Sequence, residues 1–455
     1  MPEVAVVYPE EVCGDVRGAT MRGLEFGKGP LCCEGAMGTM LQSLGADVSA
    51  GALHLNADDP DAVARVHSMY REAGAACGIT NSFSPCTSLD STQAEASRKL
   101  VAASVGIARE AGFDIVLGDM GPAGKMLEPL GDTTFDELYR IYRRHIDALV
   151  EAGADAIMIE TLIDVSDARC ALLAALDATR GRGVPVVASL SFNESCRMPL
   201  SSTTPAAAAH VMEMMGASMV GSNCGLGHDQ MMHVIEQMSE ATALPLIVQP
   251  NAGMPVSDAE GNASYPGTPE QMAVLAPRFA ELGCAIIGSC CGSTPEFTRA
   301  IVDTLAQARV QAVERGRMLS GEFALTSVAD IVVSENGKLE CSDGCTIDCD
   351  EGLDKWEILE NASEFPMILR FKGSLDALEL ALKHYSGVAA VCVRDAGECA
   401  EIAHLAMRYG AYAAIECEDA DADARANAAS AAQQAGLDAS RVLLYDGASL
   451  VAIAR

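Results

Sequence analysis

The sequence predicts an α/β protein: a closed (β/α)8 TIM barrel, followed by a smaller C-terminal α/β domain that resembles part of a second barrel. Three observations carry this. Between residues 31 and 290, eight short apolar runs alternate with segments of helical spacing. The runs are continuously apolar rather than alternating, which marks strands covered on both faces of a parallel sheet. Eight βα units within residues 28–316 fit a closed barrel better than an open doubly wound sheet.

Residues 1–27 read as an irregular leader, ahead of a barrel over 28–316. Its strands are expected at Leu31–Glu34, Ala75–Asn81, Asp114–Met120, Ala156–Glu160, Val184–Ser191, Met219–Cys224, Leu246–Asn251 and Ala285–Cys290. Helices are expected over Pro60–Ala73, Tyr139–Ala152, Thr204–Met215 and Thr268–Leu282. Asp59-Pro60, Thr204-Pro205 and Thr268-Pro269 each place a capping side chain and a proline at a helix entrance. Gly74, Gly153, Gly216 and Gly283 fall where a helix must stop and turn back into a strand. Residues 317–366 read as an acidic, turn-rich linker. From 367 to 455 the alternation resumes, with strands at Met367–Phe371, Val388–Val393, Ala411–Cys417 and Val442–Asp446 and helices at Ser374–Tyr385, Ala396–Tyr409 and Asp421–Ala435. That is too little to close a barrel alone, so this is a half-barrel-sized unit or one that needs a partner surface, and exposed sheet edges would favour a homo-oligomer.

The 455 residues carry 31 Lys+Arg against 63 Asp+Glu, a formal net charge of −32. Such a surface repels phosphate backbones and anionic lipid, so neither nucleic acid nor a membrane is an expected partner. No run of about 18 uncharged apolar residues is present. The first residues place acids where a signal peptide needs a basic start, so a cytoplasmic location is expected. Seventeen cysteines, an odd number with the adjacent pairs Cys32-Cys33 and Cys290-Cys291, suit reduced thiols better than a disulfide framework. Most are expected to pack as small hydrophobes.

The chemistry is expected at the C-terminal ends of the strands, where barrel active sites lie. Every strand end but the fifth delivers an acid, an amide or a thiol there; the fifth delivers the hydroxyls of Ser189 and Ser191. Cys224 comes from strand 6, and Cys290 and Cys291 from strand 8, the two strands flanking strand 7. Three thiolates suit zinc and leave one coordination position open, as in catalytic sites. A soft open site matches a thiol substrate, which the metal would hold as the nucleophilic thiolate. Cys341-x3-Cys345-x3-Cys349 is a second, weaker metal-loop candidate.

These residues resemble the homocysteine S-methyltransferases, including the homocysteine-binding barrel of cobalamin-dependent methionine synthase. The matching motifs, in family order, are Glu34-Gly-Ala-Met-Gly-Thr-Met40, Thr80-Asn-Ser-Phe83, Gly121-Pro-Ala-Gly124 and Glu160-Thr-Leu-Ile-Asp164. They continue with Asn223-Cys-Gly-Leu-Gly227, Pro250-Asn-Ala-Gly-Met-Pro255 and Gly288-Ser-Cys-Cys-Gly-Ser-Thr-Pro-Glu296. The resemblance implies that Cys224, Cys290 and Cys291 hold Zn2+ and that homocysteine sulfur takes the open position. It implies that Glu160 receives the substrate ammonium, that Gly35 and Ala36 touch the amino-acid end, and that Asn251 sits beside the metal. Glu34 stands where the family usually has Asp, and His145 where Gln is common; His145 is expected to be structural. The C-terminal domain resembles the middle of the pterin-binding barrel that follows in methionine synthase. Several of that barrel's strand-end motifs are missing, so folate binding is not expected.

The resemblance implies an enzyme that methylates homocysteine to methionine. The sequence holds no Asp-x-His-x-x-Gly cobalamin-carrying segment, so the expected donor is a methylcobamide on a separate corrinoid protein. The alternatives are S-methylmethionine or a betaine as donor, another thiol as acceptor (motivated by Glu34), or a non-catalytic zinc- and thiol-binding protein whose acidic domain docks a partner.

Overall fold

Eight parallel strands form the first sheet: β1 Leu31–Cys32, β2 Cys77–Ile79, β3 Ile115–Met120, β4 Ala156–Leu162, β5 Val186–Leu190, β6 Met219–Gly227, β7 Leu246–Asn251 and β8 Cys284–Ile287. The computed structural model describes residues 30–453 except 50, 89–90, 258–262, 309, 311–314, 317–322, 329, 342–345 and 362–365; the expected leader lies outside them. Each strand pairs with its sequence neighbours, β8 pairs with β1, and a bridge between Cys33 and Cys77 closes the ring. The predicted barrel is therefore present. Its lumen is filled by Cys33, Cys77, Ile115, Leu117, Met158, Val187, Met219, Ile247 and Ile286. The adjacent thiols Cys32 and Cys33 face opposite sides of β1, as neighbouring strand residues must: Cys33 fills the lumen, and Cys32 belongs to the layer beneath the helices. Both are ordinary core residues.

Strand boundaries differ from the sequence reading at the rim. β6 runs three residues beyond Cys224, whereas β8 ends at Ile287 and leaves Cys290 and Cys291 in the turn that follows. The helix entrances are capped as expected: Asp59 accepts from the Ala62 N–H, Thr204 from Ala207, and Thr268 forms a capping box with Gln271. The helix expected over Thr268–Leu282 is two, Pro269–Ala273 and Ala276–Glu281. Pro277 supplies no N–H to bond the Ala273 carbonyl, so the first helix is not continued, and the proline instead sits in the first turn of the second. Gly216 ends its helix at φ +106, a left-handed conformation that only glycine adopts cheaply.

The C-terminal sheet has seven strands: β9 Lys338–Glu340, β10 Thr346–Cys349, β11 Ile368–Phe371, β12 Ala390–Val393, β13 Tyr412–Glu416, β14 Val442–Tyr445 and β15 Ser449–Ala452. Five, β10 to β14, are parallel, and β15 and β9 continue the sheet antiparallel in the order β9-β15-β14-β13-β12-β11-β10. The stretch read as a linker, 317–366, thus contributes both edge strands, one paired with the distant Ser449–Ala452 and the other with the next strand, Ile368–Phe371. Short strands such as Thr346–Cys349, interleaved with acids, carry no periodicity long enough to register in the sequence. The same topology separates the second cysteine cluster. Cys341 follows β9 and Cys349 ends β10, at opposite edges of the sheet, while Cys345 lies outside the described residues.

The partner surface that this unit needs is the barrel's own helical layer. Arg169, on the helix Val165–Thr179 after β4, is fully buried and donates to the carbonyls of Tyr385 (2.6 Å) and Leu382 (2.9 Å) at the end of the helix Leu375–His384. Arg408 reaches back to Asp177 at 2.8 Å, and Lys383 to Asp136 at 2.9 Å. His210, on the helix after β5, bonds through Nε2 to the Ala324 carbonyl at 3.1 Å. Among the described residues no helix is long and apolar enough to cross a membrane.

His210 gives a pH-dependent contribution to stability. Burial, only partly offset by its bond to Ala324, lowers its pKa to about 4, and the Arg441 charge adds to the lowering. The folded state keeps it neutral while the unfolded chain protonates it below about 6.5. Its destabilising effect is therefore absent above pH 6.5 and grows as pH falls toward 4, by about 1.4 kcal/mol per unit. His210→Gln, which retains a donor, is expected to remove that slope from the wild-type-minus-variant difference in urea midpoints between pH 6.5 and 4. A constant difference over that range would refute it.

Candidate active site

A cavity of about 410 Å3 opens at the C-terminal end of the barrel, lined by Glu34, Gly35, Ala36, Asp119, Glu160, Thr161, Gln249, Ser289, Cys224, Cys290 and Cys291, with Phe83 and Leu53 toward its mouth. The three cysteines converge there as predicted, with all three Sγ atoms within 4.8 Å of one another. The Cys224 and Cys291 sulfurs are 3.7 Å apart. A tetrahedral ion with Zn–S bonds of roughly 2.3 Å places its sulfurs about 3.8 Å apart, so the spacing fits zinc. Cys224 reaches its position at φ +54, a left-handed conformation unusual for a side chain with a Cβ, followed by Gly225 at φ +69. Such strain is held in place by surrounding structure and collects at functional sites.

The crowding of the sulfurs sets their ionisation. Hydrogen bonds from Cys224 and Cys290 hold the Cys291 thiol well below its ordinary range. Cys290 is pushed up by its bonds to Cys224 and Cys291 and by burial. At Cys224 the bond from Cys290 acts downward, but the bond to Cys291 and burial outweigh it and the pKa rises. Three ionised sulfurs this close together call for a cation among them. Among the described residues this is the one group of His, Cys, Asp and Glu side chains placed to hold a metal.

Asn223, immediately before Cys224, organises the neighbouring wall. Its Oδ1 accepts from the Thr161 N–H (3.0 Å) and Ser189 Oγ (2.9 Å), and its Nδ2 donates to Thr161 Oγ1 (2.7 Å) and Glu160 Oε2 (3.1 Å). Its carbonyl accepts from Ser191 Oγ at 2.6 Å. The hydroxyls delivered by β5 thus serve to fix Asn223. Burial pushes the Glu160 carboxyl up to about 8, and the Cys291 charge adds to this. Asn251, ending β7 between the two cysteine-bearing strands, is buried with its Oδ1 lacking a hydrogen-bond partner.

The sequence model of the homocysteine S-methyltransferase family matches residues 31–305. The chain belongs to that family. It is 34% identical over 302 residues to the methionine synthase of Mycobacterium leprae, covering 62% of this chain and 25% of that protein. It is 35% identical over 297 residues to the methionine synthase of Mycobacterium tuberculosis, covering 61% and 24%. The chain therefore spans about a quarter of the length of these curated relatives. In fold it is similar to the homocysteine methyltransferase MmuM of Escherichia coli, with a TM-score of 0.50, 23% identity, and coverage of 63% of this chain and 98% of that one.

Glu34 and the Gly35-Ala36 backbone line the pocket of this homocysteine S-methyltransferase family member, but much of their hydrogen-bonding capacity is spent. Glu34 is buried, with Oε2 on His67 Nδ1 at 2.9 Å and Oε1 on the Ile79 N–H at 2.5 Å. The Ala36 N–H donates to Ser293 Oγ at 3.2 Å. His145 is structural: it lies beneath the rim, with Nε2 on the Asp119 carbonyl at 3.1 Å and its pKa lowered by burial to about 4. Asp119 and Asn223 were legible as strand-end polar residues, but their inward aim needed the register. Asp119 pairs with Met158 across β3 and β4, so Glu160, two residues on, shares its face.

Gly35 is a close-approach glycine. A Cβ there would lie 2.5 Å from Ser293 Oγ, 2.8 Å from Ser289 Oγ and 2.9 Å from the Tyr70 hydroxyl. Gly35→Ala is expected to cost about 1–3 kcal/mol in overpacking. Denaturant unfolding of wild type and variant measures it; an unchanged stability would refute the expectation.

Proposed function

We propose that this protein transfers a methyl group to the thiol of homocysteine, giving methionine, with zinc held by Cys224, Cys290 and Cys291. The convergence of those three sulfurs at the mouth of a barrel of this family carries the reading. A fully deprotonated cluster places three negative charges around one position, which a dication compensates. When bound, zinc holds the substrate thiol as thiolate at neutral pH, the form that attacks carbon. The S–CH3 bond forms as the bond from methyl to donor breaks, the electron pair leaving with the donor; no general base on the chain is needed.

The chain's own residues orient the acceptor. Asn223 holds Glu160 at the pocket wall to receive the ammonium, and Ser289, whose hydroxyl is buried without a partner beside Gly35, is placed for the carboxylate end. Asn251 supplies a free amide oxygen between the cysteine-bearing strands. For the donor, the greater likeness to methionine synthases than to MmuM supports a methylcobamide. The test is a methylation assay with homocysteine against free methylcobalamin, S-methylmethionine and glycine betaine on zinc-loaded protein. Methionine formed from methylcobalamin alone supports the reading, turnover with only a sulfonium or betaine moves the donor, and none with any donor overturns methyl transfer.

A further inference from the structure

Three carboxyl groups line the pocket, and their free acceptors are unequal. Glu34 has both oxygens engaged, by His67 and by the Ile79 N–H. Glu160 has one oxygen on the Asn223 amide. Asp119 takes the Met120 N–H, but its Oδ1 has no hydrogen-bond partner although the residue is only 3% exposed. A buried carboxyl oxygen without a donor is costly unless a ligand supplies one.

The backbone that carries Asp119 is pinned at three points. Its N–H donates to Thr80 Oγ1 at 2.8 Å, and its carbonyl accepts from Ser82 Oγ at 2.7 Å and His145 Nε2 at 3.1 Å. Thr80 and Ser82 are themselves joined at 2.7 Å. A carboxyl held this firmly, on a residue that lines the cavity and with one oxygen unpartnered, is preorganised for a donor that a ligand brings. The strand register puts it on the same inward face as Glu160.

We propose that Asp119 is a substrate-recognition residue, which together with Glu160 receives the α-ammonium group and selects α-amino thiols over thiols lacking the amine. This rests on the function proposed above and adds the second carboxyl to its ammonium site. An ammonium has three N–H donors; the free oxygen of Glu160 and Oδ1 of Asp119 accept two of them. Two buried carboxyls on one face also disfavour joint ionisation, and a cation between them relieves this. Burial, and after it the Glu160 charge, raise the Asp119 pKa in the empty pocket.

The experiment compares L-homocysteine with 4-mercaptobutyrate, the same skeleton without the amine, on the zinc-loaded full chain, by calorimetric binding and by steady-state kinetics. Wild type is expected to bind the desamino thiol about 100-fold more weakly. Asp119→Asn is expected to weaken homocysteine about 30-fold, chiefly in KM, with 4-mercaptobutyrate binding and zinc content unchanged. Equal binding of the two thiols by wild type overturns the proposal whether or not the variant folds, as does an equal loss of both in Asp119→Asn. Wild type that binds neither thiol overturns the parent function as well, whereas thiol binding without amine selection overturns Asp119 alone.

Discussion

Cys290→Ala is expected to yield protein that folds yet retains less than about a tenth of an equivalent of zinc after dialysis, where wild type is expected to hold about one. Methyl transfer to homocysteine should fall by about a thousandfold or more. The magnitude follows from what three ligands do together: the remaining pair leaves two coordination positions to water, and the crowded cluster loses one of the donors that hold Cys291 ionised. Without the cation, a substrate thiol returns to an ordinary pKa near 8.5 and is mostly protonated at neutral pH. The fold should tolerate the change, because Cys290 lies in a turn beyond β8 and no barrel ladder runs through its side chain. Zinc by mass spectrometry, unfolding by circular dichroism and product formation are to be measured on one preparation. Full zinc occupancy with wild-type turnover in the variant would remove the metal centre from the mechanism.

The barrel was legible because its signal repeats. Each buried parallel strand is a continuous apolar run, and several helices announce their starts with a capping residue and proline, as Thr204-Pro205 and Thr268-Pro269 do. The cysteine trio was legible because strand ends in a barrel have a known destination. Hydrogen-bond accounting was not. Nothing in the residue order says that Glu34 spends both oxygens on His67 and Ile79 while Asp119 keeps one free, since those contacts join residues 33 and 45 positions apart. The edge strands Lys338–Glu340 and Thr346–Cys349 were hidden for a related reason: three or four residues have no periodicity of their own, and only pairing with Ser449–Ala452 and Ile368–Phe371 makes them strands. The docking of the C-terminal unit turned on Arg169, a charged residue in the helix Val165–Thr179. Position in the sequence suggests a solvated face, and the fold buries it completely.

Arg169→Ala is accordingly expected to uncouple the two units. The guanidinium donates to the Tyr385 and Leu382 carbonyls, which belong to the unsatisfied C-terminal end of the helix Leu375–His384, where a cation is also favoured by the helix dipole. Burial lowers its pKa to about 10, so it stays charged, with the nearby tyrosines acting to keep it so. Truncation removes the Arg169 donors from two carbonyls and leaves a cavity the size of the side chain. The expected loss is about 3–5 kcal/mol, against about 1 kcal/mol or less for Arg408→Ala, whose pairing with Asp177 lies at the more accessible edge of the same interface. Calorimetry should show one transition for wild type and two for Arg169→Ala, with the C-terminal unit melting first and yielding first to protease, and little change in Arg408→Ala. Zinc content should survive in both, because the docking face is built on the helices after β3, β4 and β5, whereas the cysteines come from β6 and the turn after β8. A melting temperature within a degree of wild type for Arg169→Ala would show that apolar packing, not the buried cation, joins the units.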